Sequence, residues 1–129
     1  MMIPKYLQLF LKCVEPFVKA DPDFRVSLSV IPQGKIGAQY RNFAYCKEGD
    51  TPEICISPRF FQQPEDRQEA LFLHELGHAW LFQHGPSDHT ERETDEAAER
   101  ISGQRIYYDA QDVQTTKPGR YPRPSYLPQ

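Results

Sequence analysis

The chain lacks a basic stripe. Its 15 lysines and arginines are interleaved with 18 acidic residues, for a net charge of −3 over 129 residues. A partner held through nucleic-acid phosphates has no direct support in that pattern. Cysteine is scarce as well: Cys13, Cys46 and Cys55 are an odd number at no metal-binding spacing. They read as free or buried thiols in a reducing compartment, not as a disulfide framework or a thiolate zinc site. Long apolar runs are missing. Tyr6 to Leu11 is apolar apart from Gln8, and Lys12 ends it. That is short for a secretory signal, no small-residue cleavage site follows, and no segment approaches a membrane span of about 20 residues. The expected location is cytoplasmic, with no membrane partner. Methionine is confined to Met1 and Met2.

What is present suits one compact domain over residues 1–113. Apolar residues make up 39% of the chain, enough for a single core of modest size. Residues 4–15 have helical spacing, with Ile3, Leu7, Phe10, Leu11 and Val14 as the expected buried face. Pro16 is expected to kink or end that helix. Phe24 to Ile31 alternates as a half-buried strand. Gln39 to Lys47 reads as a second strand and Glu53 to Ser57 as a short third. Pro64-Glu65-Asp66 opens a long helix, because proline and acids suit a first helical turn, and Gly85-Pro86 stops it. Another helix runs from about Thr90 to Gly103, capped by Ser87 or Asp88, with a narrow stripe of Thr94, Ala97, Ala98 and Ile101. Residues 114–129 carry Pro118, Pro122, Pro124 and Pro128 among Lys117, Arg120 and Arg123, the composition of an extended tail.

The long helix contains Leu73-His74-Glu75-Leu76-Gly77-His78-Ala79. This is H-E-x-x-H within an apolar, helix-periodic run. Residues four apart share a helix face, so the His74 and His78 imidazoles can share one metal ion. Zn²⁺ binds neutral imidazole and keeps an open position in catalytic sites. Glu75 stands beside the metal and can take a proton from a water whose pKa the metal lowers. The pattern reads as a zinc-dependent hydrolase site, with Glu75 as general base. Gly77 costs about 1 kcal/mol relative to alanine in mid-helix; close approach of another backbone would explain it, and so would simple tolerance.

A catalytic zinc needs a third protein ligand. His84 stands at the third-histidine spacing of metzincins. Leu81, however, occupies the place of the glycine that turns their chain out of the helix, and the methionine turn is absent. The alternative is a carboxylate from the next helix, where Glu91, Glu93 and Asp95 are candidates. Angular position barely separates Glu91 from Glu93. The four-residue step favours Glu91: it shares a face with Asp95, which can accept the second N–H of a ligand histidine and fix its tautomer. Glu93 has Ala97 at the corresponding position. The expected ligands are therefore His74, His78 and Glu91, with Asp95 behind them. A purely structural zinc would need a fourth ligand such as His84 or Asp88. Oxyanion stabilisation could come from Tyr107, Tyr108, His84 or His89.

From Ile54 to Ile101 the chain resembles the ImmA/IrrE family of gluzincin metallopeptidases. The resemblance rests on Ile54-Cys55-Ile56-Ser57, on Arg67 ahead of Leu73–His78, and on Glu91-Arg92-Glu93-Thr94-Asp95-Glu96-Ala97-Ala98, which is similar to the family's E-x-E-A-[ND]-x-F-A run. Thr94 replaces that pattern's alanine and Ala97 its phenylalanine, and Ser102-Gly103 stands where the family has leucine-methionine-proline. The resemblance implies an α+β, minimal zincin-like fold. In it a small, twisted, mostly antiparallel sheet packs on the H-E-x-x-H helix and a following ligand helix. It also implies an edge strand that pairs with an extended peptide, here Gln39 to Lys47, and a cytoplasmic metallopeptidase whose protein substrate is of the transcriptional-repressor kind. The rival expectation is a binding or regulatory module that keeps the fold without proteolysis.

Overall fold

A computed structural model describes residues 3–31, 43–85 and 87–104. The tail from 114 to 129, Tyr107, Tyr108 and the first part of the second strand, residues 39–42, lie outside the described residues. The described chain is α+β. In order it forms α1 (Lys5–Ala20), β1 (Ser27–Val30), β2 (Ala44–Lys47), β3 (Glu53–Ile56), a short 3-10 helix (Pro58–Gln62), α2 (Glu65–His84) and α3 (Glu91–Ser102). No helix among the described residues is long and apolar enough to cross a membrane.

The three strands form one sheet in the order β1-β3-β2. β3 pairs antiparallel with β2 and parallel with β1. The sheet is thus mixed among the described residues, with one antiparallel and one parallel pair, where a mostly antiparallel sheet was expected. The reason lies in β3. Ile54, Cys55 and Ile56 are 0–5% exposed, a continuous apolar run suited to a central strand covered on both faces. The short Glu48–Pro52 connection folds β2 and β3 into a hairpin, and β1 takes the opposite edge. Ser57 extends the link, its N–H and hydroxyl both donating to the Phe43 carbonyl at 2.9 and 3.1 Å.

α2 is the centre of the molecule. Leu71 through Gly77 and Ala79 are buried, a near-continuous run that fits a helix covered on several sides. It packs against β2 and β3, and also against α1 and α3. Phe10 and Phe60 close on Phe72 with ring centroids 5.2 and 4.7 Å apart. At the other end of α2 the Gln83 amide donates to Arg25 O at 2.7 Å and accepts from Arg25 N at 2.9 Å. This pins α2 to the segment entering β1.

α1 departs from its expected form in two ways. It runs through Pro16 to Ala20, although an interior proline costs about 3 kcal/mol. Phe17, fully buried one residue later, offsets this: it stacks on Phe24 at 5.5 Å and meets Trp80 at 6.2 Å. Burying such a ring contributes roughly 1.5–3 kcal/mol, and its aromatic contacts add about 0.5–1.5 more. The buried face is also rotated. Leu9, Phe10, Cys13 and Phe17 are inside, whereas Ile3 and Leu11 are about half exposed.

The three cysteines are free. Burial pushes the Cys13 thiol up to about 12. Burial, then the neighbouring charge of Glu75, raises Cys46, and burial raises Cys55. None offers a thiolate near neutral pH.

Candidate metal centre

α2 and α3 build the site, and Gly77 sets their distance. A Cβ at Gly77 would lie 2.5 Å from the Thr94 carbonyl oxygen, 3.1 Å from Thr94 Cγ2 and 3.2 Å from Ala98 Cβ. The first contact is with backbone and cannot swing aside. Of the two readings open for Gly77, the structure shows close approach of a neighbouring backbone. The small stripe of Thr94, Ala97 and Ala98, all buried, is what α3 presents at this crossing.

The start of α3 differs from the expected Ser87 or Asp88 cap. Thr90 is the N-cap. Its hydroxyl accepts from Glu93 N at 3.0 Å, and the Glu93 carboxylate accepts from Thr90 N at 2.8 Å. This is a capping box, with the T-x-x-E spacing already visible in Thr90-Glu91-Arg92-Glu93. It decides between the two glutamates. Glu93 is turned back on its own helix terminus, and the Thr90 N–H holds its carboxyl below the usual range. Glu91, the first helical residue, turns towards α2.

His74, His78 and Glu91 converge. One ligand atom from each can be chosen so that all lie within 4.8 Å of one another. Glu91 Oε2 is 2.7 Å from His74 Nε2 and 3.4 Å from His78 Nε2. The imidazole centroids are 4.9 Å apart, their planes nearly perpendicular. Behind His74, Asp95 Oδ1 lies 2.6 Å from Nδ1, with both side chains fully buried. A carboxylate there accepts a hydrogen bond from Nδ1–H, which leaves Nε2 its lone pair. That lone pair then faces the Glu91 carboxylate, an arrangement stable only with a cation between them. A proton would serve for one pair. Convergence of a second imidazole on the same oxygen suits a metal ion shared by three donors. The group could therefore hold such an ion. His74 is sealed from solvent, whereas the His78 and Glu91 side chains are 17% and 34% exposed, so the site opens on their side.

Glu75 follows His74 on α2 and is 2% exposed. α2, which carries it, packs against β2, and β2 is one edge of the sheet among the described residues. His84 is elsewhere. It stacks on Trp80 with centroids 3.8 Å apart, and its Nε2 lies 2.6 Å from Asp21 Oδ2. As α2 continues through Leu81, position 84 turns away from the face of His74 and His78, and His84 does not join them and Glu91 in the ligand group. His89 sits against His78, its Nε2 2.8 Å from His78 Nδ1. Thr94 Oγ1 lies 3.2 Å from the same Nδ1. The partners of His78 are thus a finding of the structure; the sequence carries no spacing signal for His89, which lies in the connection before α3.

Replacing Thr90 by alanine is expected to cost about 1 kcal/mol, read as a lower denaturant midpoint. The effect has a pH signature. A carboxyl held low in the folded state stabilises at neutral pH, and this is lost as pH falls through the lowered value. Glu93 supplies such a contribution, and Thr90→Ala should weaken it. An unchanged acid limb of the stability curve would count against the cap.

Comparison with models of known protein families and with curated proteins yields no match for this chain.

Proposed function

We propose that this protein is a zinc-dependent metallopeptidase of the gluzincin type, with a minimal zincin-like fold and a likeness to the ImmA/IrrE family. The observation that carries the reading is the convergence of His74 Nε2, His78 Nε2 and Glu91 Oε2, with Glu75 next to the first of them. Two imidazoles and one carboxylate form the ligand set of a catalytic zinc, which leaves a place for substrate or water.

His74, His78 and Glu91 would hold the ion. A zinc ion there supplies a Lewis acid that polarises the scissile carbonyl and lowers the pKa of the attacking water. The chain's own groups do the rest. Asp95 keeps the His74 proton on Nδ1 and so keeps Nε2 a donor of electrons. Glu75 accepts the proton released by the attacking water and delivers it to the leaving amine nitrogen. Its burial keeps bulk water from competing for that proton. β2, a sheet edge among the described residues that packs against α2, is the strand an extended substrate would pair with. Main-chain pairing of this kind asks little of substrate sequence, which suits a protein substrate such as a repressor, met in the cytoplasm.

Metal content tests the ligand set. Wild type should bind about one zinc per chain, Glu91→Ala should lose it, and Glu93→Ala should keep it. Incubation with an unfolded protein and with candidate repressors should yield new chain termini, lost on chelation and restored by zinc. A stable complex with an uncut partner would point instead to a binding module on the same fold. Zinc retained by Glu91→Ala would remove the proposed third ligand.

A further inference from the structure

We infer that the Thr94 hydroxyl is a positioning group for His78: it selects the tautomer that puts the lone pair on Nε2. The inference rests on the metal reading above and adds to it a residue that the family pattern fills with alanine.

His78 Nδ1 faces His89 Nε2 at 2.8 Å and Thr94 Oγ1 at 3.2 Å. Two neutral imidazoles facing each other can share a proton in either sense. If His89 donates, the His78 proton moves to Nε2 and blocks the position where the metal would sit. The contact between the two rings does not by itself set the sense. Thr94 does. Its hydroxyl has one proton, and a carbonyl can only accept. The Thr90 carbonyl lies 2.9 Å from Oγ1 and accepts the hydrogen bond that this hydroxyl donates. With its hydrogen so directed, the same oxygen accepts towards His78, and the contact is a hydrogen bond when Nδ1 carries the hydrogen. His89 Nε2 then also accepts, and His78 Nε2 is left with its lone pair towards Glu91.

The rotamer is held from both sides. Thr94 is fully buried. Its methyl occupies the space that Gly77 leaves open, while the hydroxyl bonds back along α3. Branching at Cβ restricts χ1. Thr94 thus does for His78 what Asp95 does for His74, using a neutral acceptor whose direction the helix backbone imposes.

Thr94→Val keeps the shape and removes the hydroxyl; Thr94→Ser keeps the hydroxyl. Nitrogen-15 NMR of the metal-free full chain, at a pH where imidazole is neutral, reads the His78 tautomer directly. Wild type and Thr94→Ser should show the Nδ1–H form, and Thr94→Val a mixture with Nε2–H. Zinc affinity, measured by competition with a chelator, should fall about tenfold or more in Thr94→Val and be largely retained in Thr94→Ser. Circular dichroism checks that each variant is folded. The inference is overturned if folded Thr94→Val keeps the Nδ1–H form, or if His89→Ala shifts the tautomer and Thr94→Val does not. Should wild type bind no zinc, the metal reading fails by itself, and the NMR comparison still decides the role of Thr94.

Discussion

Glu75→Gln should reduce peptide hydrolysis by about two to four orders of magnitude while leaving zinc bound, the range that a positioned general base contributes. Glutamine has nearly the same shape, so the 2%-exposed position stays filled. The amide cannot accept the proton that the attacking water must lose. None of His74, His78 and Glu91 changes, so zinc stoichiometry should equal that of wild type. The measurement is a pair: cleavage rate on a substrate that wild type cuts, and metal content of the same sample. Undiminished cleavage by a zinc-loaded variant would refute the role of Glu75. Loss of zinc would show that Glu75 supports the ligands.

Gly77→Ala is expected to weaken the fold and the site together. Alanine is the better helix former by about 1 kcal/mol, so propensity alone predicts stabilisation. The contact geometry opposes it. The new methyl would sit 2.5 Å from a backbone oxygen of α3, and the helices must separate to admit it. Overpacking typically costs about 1–3 kcal/mol, occasionally more; with rigid backbone as the nearest neighbour the upper part of that range applies, and the net change should be destabilising. Zinc affinity should fall as well, because His74 and His78 belong to one helix and Glu91 to the other. Denaturant unfolding and chelator competition on one preparation measure both. A variant as stable as wild type, with unchanged zinc affinity, would show that the crossing has slack.

The parts of this molecule written in short-range spacing could be read from the sequence. His74 and His78 depend only on a four-residue step within one helix. The proline and acids that start α2 and the glycine that ends it are local too. The Glu91/Asp95 step pointed to the carboxylate that faces His74 and to the one behind it. The stronger local signal, Thr90 to Glu93, was also present and fixes the phase of α3 more firmly than the apolar stripe does. Non-local features were less legible. Helical phase puts an apolar arc of roughly 200° on α1. Which half turns inward depends on Phe24, Phe72 and Trp80, which come from elsewhere in the chain. The place of β3 between β1 and β2 depends on burial on both of its faces, and sequence order suggests a different neighbour. The contacts of His78 with His89 and Thr94 arise only once α3 lies across Gly77.

The position of Glu91 at the very first residue of its helix would make the grip on a metal ion sensitive to events that never touch the ion. A helix begun one residue earlier or later would swing this carboxylate by about 100°, off the line to the histidines. Fraying of the opening turn would let it wander. The connection between the two helices must therefore keep His89 against His78 and a threonine at the right step before Glu91. That requirement gives an engineer a handle: binding of a cation at the site would be tunable from this turn, with the buried side chains left untouched.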